Sequence, residues 1–394
     1  MARANSPAFQ AALAAAGVAH SVKVQARAGL LPRASFLSQF LYTQPNGSSS
    51  GVFVANNSTR EYIDQANVHE SIGVTETATY RSAAAAEDLA KAETDIASRG
   101  LVVTVVTRYD AVVVSERKLA TARLALADAN RFLTITQDRE RGGEAAHADV
   151  IKAQLQVEQR ARDLRDAELA LATSRNELAI VIFSDYETGF TVTDDLQAPA
   201  ALPAFDQVER RAQERNPDVA AATAALQQAG QDVWVARGEL LPSLSLDYYY
   251  GIDANQFATS FDGVNNLGSS VVASVSVPLW NWGATQSRIA SARLRRQQAQ
   301  VELSFARRQL LADLHSFYGE AATAREALAS LERSVHLADE SLRLTTLRYQ
   351  AGEATVLEVV DAQNTLILAR DAYDDGEARY HLALANLQTL TGTL

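Results

Sequence analysis

Glu358 and Asp361 lie three positions apart just beyond Gly352, a spacing that sets both carboxylates on one face of a helix. Crowded carboxylates resist full ionisation, so they recruit cations or move apart. Asp149 stands in a second, similar segment just beyond Gly143. Exposed acids beside a turn are more often ordinary solvated charge, and spacing alone favours that reading. The six His, at 20, 69, 147, 315, 336 and 381, show no ligand spacing and the chain has no Cys, so no metal site is expected. Neither a glycine-rich phosphate loop nor a Ser/His/Asp set is apparent. Asp374-Asp375 and Asp194-Asp195 read as solvated charge rather than catalytic pairs. The expectation is a protein without catalytic residues or a cofactor.

The totals narrow the field further. The chain's 394 residues leave room for roughly two or three domains and a large core. It is rich in Ala, Leu, Gln, Arg and Glu, with 8 Pro and a single Met, a composition that favours long helices. A net charge of −11 argues against a nucleic-acid partner, because phosphate binding needs a clustered basic surface. The charge-free run from Gly263 to Thr285 carries Asn and Ser throughout, so no helical membrane span is expected; any bilayer crossing must use strands. A lack of cysteine suits an oxidising compartment without disulfides and the cytosol alike. Met1-Ala2-Arg3-Ala4-Asn5 has no apolar leader core, so either the leader of an exported protein is missing here or the protein is not exported.

An internal repeat organises the chain. Ala26-Arg27-Ala28-Gly29-Leu30-Leu31-Pro32 recurs as Ala236-Arg237-Gly238-Glu239-Leu240-Leu241-Pro242, at the spacing that also separates Pro7 from Pro217. At nearly the same spacing, Gly143-Glu144-Ala145, Asp149-Val150 and Ala153-Gln154 match Gly352-Glu353-Ala354, Glu358-Val359 and Ala362-Gln363. Proline is expelled from helix interiors at a cost of about 3 kcal/mol. None lies between Pro45 and Pro199 or after Pro278, so both stretches are free to be long helices. Val150, Val157, Leu164, Leu171 and Leu178 recur every seventh residue as in a coiled-coil seam, and Leu366, Ala369, Tyr373, Tyr380, Leu384 and Leu387 follow one helix face. Gly143 and Gly352 interrupt these stretches where a helix would reverse, which predicts two helical hairpins.

After each Leu-Leu-Pro the period switches to two. Leu244, Leu246, Tyr248 and Tyr250 share one face, as do Val271, Ala273, Val275 and Val277, and Ala34, Phe36, Ser38, Phe40 and Tyr42. A weaker candidate strand runs from Ile72 to Tyr80, and polar loops at Thr43 to Asn67 and Gly251 to Leu267 join the pairs. The expected first repeat, 1–198, holds strands at about 33–43 and 70–80 and a helical hairpin at about 81–184 turning near 143. The second, 199–394, holds strands at about 243–252 and 269–279 and a hairpin at about 283–391 turning near 352; 185–216 joins the two. Strand pairs of this kind resemble transmembrane barrel hairpins. Four strands cannot enclose a channel, so closure requires several chains.

The chain resembles the TolC-type outer-membrane factors of tripartite efflux pumps and type I secretion systems. The motifs are Leu240-Leu241-Pro242-Ser243-Leu244-Ser245 entering a strand, Val275-Ser276-Val277-Pro278-Leu279-Trp280 leaving one, and Arg348-Tyr349-Gln350-Ala351-Gly352 through Leu357-Glu358-Val359-Val360-Asp361-Ala362-Gln363 at the second hairpin. With the duplication, the resemblance covers nearly everything from Pro7 to Leu394. It implies an α+β membrane protein: a homotrimer whose helical hairpins form a tunnel through the periplasm, continuous with a shared 12-stranded transmembrane β-barrel of four strands per protomer. The family normally carries a leader and a short helix ahead of the position of Asn5, which implies a truncated N-terminus and leaves a lipid anchor open.

The implied partners are outer-membrane lipid, a periplasmic adaptor and an inner-membrane transporter, with a passive duct opened at its periplasmic end. Glu358 and Asp361 match positions that constrict the entrance in the family; Asp149 is their counterpart in the first copy, and Tyr349 matches a tyrosine that helps hold the closed end. Ala354 stands where the best-known members use a locking arginine, so any lock here must differ. Gly143, Glu144, Ala145, Gly352, Glu353 and Ala354 form the tips where the family meets its adaptor, or serve simply as turns. Tyr248, Tyr250, Trp280 and Trp282 read as membrane-interface aromatics at strand ends, with core packing the competing reading. The chief alternative is a soluble or periplasmic coiled-coil rod, which does not explain alternating segments repeated in both copies.

Overall fold

The structure is a computed structural model that describes residues 1–43, 60–196 and 201–392. Most of the expected Thr43 to Asn67 loop, Pro45, Pro199 and the 198/199 repeat boundary lie outside the described residues. The element order is α1 (Ala2–Asn5), α2 (Pro7–Ala28), β1 (Arg33–Tyr42), β2 (Arg60–Ile72), α3 (Val74–Arg141), α4 (His147–Ile182), α5 (Phe205–Arg215), α6 (Pro217–Gly238), β3 (Ser243–Ala254), β4 (Ser260–Phe261), β5 (Val264–Asn265), β6 (Leu267–Ser276), α7 (Ala284–Gln350) and α8 (Val356–Thr391). Among the described residues no helix is long and apolar enough to cross a membrane.

The chain divides into two compact units. One comprises Met1–Leu13, Glu93–Val219 and Ala306–Leu394; the other comprises Ala14–Ala92 and Ala220–Phe305. Each draws on both repeats, so the halves at 1–198 and 199–394 are units of sequence and not compact bodies.

The second unit holds the four-stranded sheet, in the order β1-β2-β3-β6, with every neighbouring pair antiparallel. The same turn leads into both β1 and β3. Leu30 and Leu31 donate to the carbonyls of Arg27 and Ala28, and Leu240 and Leu241 donate to those of Arg237 and Gly238. Pro32 and Pro242 then force the chain out of helical geometry. Gly251 sits where β3 presses closest to β2: a Cβ there would lie 2.1 Å from the Asp64 carbonyl oxygen and 2.7 Å from the Gln65 Cα. Only a residue without a side chain fits that approach.

The expected strand at 70–80 is a correction. The strand in this position is β2, which ends at Ile72, and α3 begins at Val74. Val74 and Ala78 are four apart, which suits one helix face as well as it suits alternation, and Ala78 is buried. Glu76 lies in the first helical turn, where a negative charge is favoured, and its carboxylate accepts from the Ser71 hydroxyl at 3.3 Å.

The first unit is helical. α4 and α8 are each 36 residues long, about 54 Å at 1.5 Å per residue. On α4 the seven-residue seam is buried at Val150 and Leu178 and half-buried at Val157, Leu164 and Leu171. Its main core joins Val208 and Ala212 of α5, Leu310, Leu314, Ala321 and Ala324 of α7, and Tyr380, Ala383, Leu384, Leu387 and Leu390 of α8. A second cluster unites Phe132, Ala153, Tyr349, Val356 and Val359 near the hairpin turns.

Candidate functional site

Both hairpin turns use one hydrogen-bond scheme. Gly143 donates to the Glu140 carbonyl and Glu144 to that of Arg139; Gly352 donates to Tyr349 and Glu353 to Arg348. This is a Schellman closure, and it requires a left-handed residue after the helix. Gly143 and Gly352 supply it with φ of 75° and 82°. Glu144, Glu353 and both glycines are exposed, and Ala145 and Ala354 are half-buried.

Beyond the second turn, Thr355 caps α8. Its hydroxyl accepts from the Glu358 backbone N–H, and the Glu358 carboxylate accepts from the Thr355 N–H, both at 3.3 Å. This reciprocal capping box satisfies two otherwise orphaned donors. Glu358 and Asp361 are both exposed, on the face opposite buried Val356, Val359 and Ala362. In the first hairpin the equivalent helix start has no side-chain cap, and Asp149 lies 3.4 Å from Lys152. The second hairpin thus presents two uncompensated carboxylates where the first presents an acid and a base.

Tyr349 faces inward and is only 3% exposed. Its hydroxyl donates to Thr136 Oγ1 at 3.2 Å, and its ring stands 5.0 Å from that of Phe132. Arg139 donates to the Tyr349 carbonyl oxygen and lies 4.8 Å from the centre of the tyrosine ring, while its Nε is 3.6 Å from Glu144. Sequence reasoning singled out Tyr349 but missed Arg139, a last-turn basic residue whose type and position were the available signal. The first hairpin therefore grips the end of the second within one chain.

A further cluster in the same unit corrects the reading of Asp374 as solvated charge, while Asp194, Asp195 and Asp375 are exposed as that reading expects. Arg117 reaches Asp194 at 2.6 Å, Asp374 at 3.2 Å and Glu377. Asp374 and Glu377 are buried. Hydrogen bonding to Asp194, then to Glu377, raises the Arg117 pKa, and Arg117 in turn holds the Asp194 carboxyl low. At Asp374 burial outweighs the same cation and pushes the carboxyl up. Burial, reinforced by the Glu377 hydrogen bond, pushes Tyr373 up to about 12. Asp375 is the exposed member of its pair and meets Lys118 at 2.7 Å. Through Arg117, Asp194, Asp374 and Glu377 tie the segment around Asp194 to α3 and α8.

In the second unit, one face of the sheet is apolar and exposed. Phe36 lies in a row with Ala66, Tyr250 and Ser269, and Ala34 with Val68, Tyr248 and Val271. Phe36, Phe40, Val271 and Val275 are all largely exposed. The opposite face is mixed but more polar: beside Leu37, Ile63, Tyr249 and Val272 it carries Ser35, Gln39, Asn67, His69, Asp247, Ser270 and Ser274, with His69 and Asn67 bonded to Asp247 at 2.8 and 3.3 Å. Tyr248 and Tyr250 stand within β3, not at its end, because the glycine at 251 lets pairing continue to Ala254. Trp280 and Trp282 follow β6, in T-shaped contact at 5.8 Å.

An exposed apolar strand face, a more polar face behind it and long helical hairpins are together the features of an outer-membrane protein. The profile of the outer membrane efflux protein family matches residues 1–182 and 208–393, and the chain belongs to that family. It is 26% identical over 299 residues to outer membrane protein TolC of Vibrio cholerae, covering 75% of this chain and 68% of that protein. Over 340 residues it is 29% identical to the pyoverdine export outer membrane protein OpmQ of Pseudomonas aeruginosa, covering 80% and 65%. The chain thus spans about two thirds of the length of these curated relatives. The crystal structure of VceC from Vibrio cholerae superposes with a TM-score of 0.86 at 18% identity, over 99% of this chain and 94% of that one, and shows the shared fold. The protein is therefore placed in the outer membrane.

Proposed function

We propose that three copies of the chain close into one duct that forms the outer-membrane stage of a tripartite efflux pump or type I secretion system. The observation that carries this is the strand order. β1 and β6 are the two outer strands of the sheet, each 10 residues long. Unpaired strand edges are not tolerated within hydrocarbon, where each orphaned backbone group costs several kcal/mol. Pairing β6 of one copy with β1 of the next removes every edge, and four strands from each of three copies give a 12-stranded barrel wide enough to conduct.

The duct is passive. Partners open it at the hairpin turns, where Gly143, Glu144, Ala145, Gly352, Glu353 and Ala354 offer small and acidic residues to a periplasmic adaptor that links it to an inner-membrane transporter. Glu358 and Asp361, repeated around the threefold axis, set a negative constriction at that end, with Asp149 beside Lys152 as the compensated version. Tyr349 and Arg139 hold the resting position from inside each protomer. In detergent, the particle should have the protein mass of three chains and conduct in planar bilayers. A monodisperse, detergent-free monomer that forms no channels would defeat the reading.

A further inference from the structure

Three helices of the first unit meet around a cavity of about 320 Å³. α3 contributes Asp128, Phe132 and Ile135, α7 contributes Leu342 and Leu347, and α8 contributes Gln363. Steps of four and three residues keep the α3 side chains on one helix face. Gln363 is only 7% exposed, and its Oε1 is buried with no hydrogen-bond partner. An amide oxygen left unpaired in the interior is costly, and most such groups in folded proteins are satisfied. Gln154, the counterpart of Gln363 in the first hairpin, is exposed, so burial of this amide is particular to the second. Asp128, Leu342 and Gln363 also line a narrower cleft that continues toward Arg160 and Ile367, so the Asp128 carboxylate and the Gln363 amide face one space. Asp128 is half-buried and has neither a hydrogen bond nor an ion pair among the described residues.

We propose that this cavity binds a small amphipathic amine. The ammonium group donates to Asp128 and to Gln363 Oε1, and the apolar body lies against Phe132, Ile135, Leu342 and Leu347. The lining selects this class of ligand. Two acceptors without donors call for a group that carries several N–H bonds and a positive charge, and an apolar wall with a few convergent polar groups is the build of a small-molecule pocket. The neighbouring cations do not reverse the choice. Arg343 is engaged by Glu340 at 2.7 and 2.9 Å, and Arg131 is exposed at the rim. Phe132 also stands 5.0 Å from Tyr349, so an occupant joins α3, α7 and α8 beside the hairpin turns and holds them in the arrangement seen here. The site lies within one chain and rests neither on the duct nor on its partners.

The probe is 4-phenylbutylamine, with 4-phenylbutanol and 4-phenylbutyrate as its neutral and anionic counterparts, titrated against the full chain in detergent and against a detergent blank. Calorimetry should show saturable binding of the amine, roughly tenfold or more tighter than that of either counterpart, the difference a hydrogen bond to a charged group makes. Asp128→Asn and Gln363→Leu should each weaken the amine by about tenfold on the same ground. Gln363→Leu also removes the orphaned oxygen, so without ligand it should melt at or above the wild-type temperature, whereas a purely structural glutamine would leave a less stable protein. Saturating amine should raise the melting temperature of the wild type and leave that of Gln363→Leu nearly unchanged. Uptake that never saturates, equal binding by wild type and both variants, or binding of the alcohol or the carboxylate as tight as that of the amine would overturn the site. Currents recorded in planar bilayers without amine judge the duct separately.

Discussion

The Tyr349 hydroxyl donates to Thr136 Oγ1 at 3.2 Å, so the last turn of α7 is bonded to α3 inside one protomer. Thr136 is fully buried and passes the connection on by donating to the Phe132 carbonyl. Ala354 carries only a methyl group, and within the protomer it is this contact that fastens the end of α7 to α3.

Breaking that contact should loosen the tip. Tyr349→Phe removes one net hydrogen bond, about 1 kcal/mol, and leaves the ring packing intact. Arg139→Ala removes the grip on the Tyr349 carbonyl and the cation over its ring. Both should raise single-channel conductance or open probability in planar bilayers, Arg139→Ala the more strongly. Unchanged conductance in Arg139→Ala would remove Arg139 from the resting-state lock.

Glu358 caps α8, and in the proposed duct it also sets charge at the constriction. Gln at this third helical position preserves the capping box while losing the charge. Glu358→Gln with Asp361→Asn should therefore weaken block by divalent cations without lowering thermal stability. Glu358→Ala removes the cap as well, at about 1 kcal/mol, and should lower the melting temperature. Identical cation block in wild type and Glu358→Gln/Asp361→Asn would remove both acids from the constriction.

Arg117→Leu strands buried carboxylates. With the cation gone, Asp374 and Glu377 keep their burial and lose their partner, a change that costs about 3–5 kcal/mol in comparable buried pairs. Thermal unfolding should report a large loss, and limited proteolysis should show early cleavage around Asp194. Removing the acids together with the base, as Arg117→Leu/Asp374→Asn/Glu377→Gln, should recover part of it.

His381 sets a pH dependence. Its hydrogen bonds to Asp110, at 2.9 and 3.0 Å, raise its pKa above the usual 6.5. The folded protein then holds a proton that the unfolded chain has released, so stability falls as pH rises. The contribution is fully present below pH 6.5 and disappears as pH climbs through the raised value. Replacing His381 with Asn should flatten melting temperature against pH across that interval; an unaltered slope would exclude the pair.

Much of this was legible from residue order. Pro32 and Pro242 mark the switch from helix to strand, and Gly143 and Gly352 mark the reversals, because each of these residues dictates backbone geometry unaided. Leu244 through Tyr250 announce a strand because one of its faces meets an apolar phase. β2 was hidden for the opposite reason: Asp64 and Glu70 fall on the otherwise apolar face and Ile63 on the polar one, and only pairing with β1 and β3 reveals a strand. Arg117 was illegible as well, since its partners lie at positions 194, 374 and 377 and meet only after folding. Arg139 had a helix-end signal, but its target is an unremarkable backbone carbonyl.

Closure of β6 onto β1 of a neighbouring copy is the central claim, and the cysteine-free chain permits a direct measurement. Pairs of cysteines placed on the polar face, one at Ser35, Leu37 or Gln39 and one at Ser270, Val272 or Ser274, would be oxidised in membranes and resolved under denaturing conditions. Edge-to-edge closure requires that at least one register give a ladder of one, two and three chains, ending at three, with conductance retained. Products that stop at two chains, run beyond three, or fail to form in every register while the protein still conducts would contradict it.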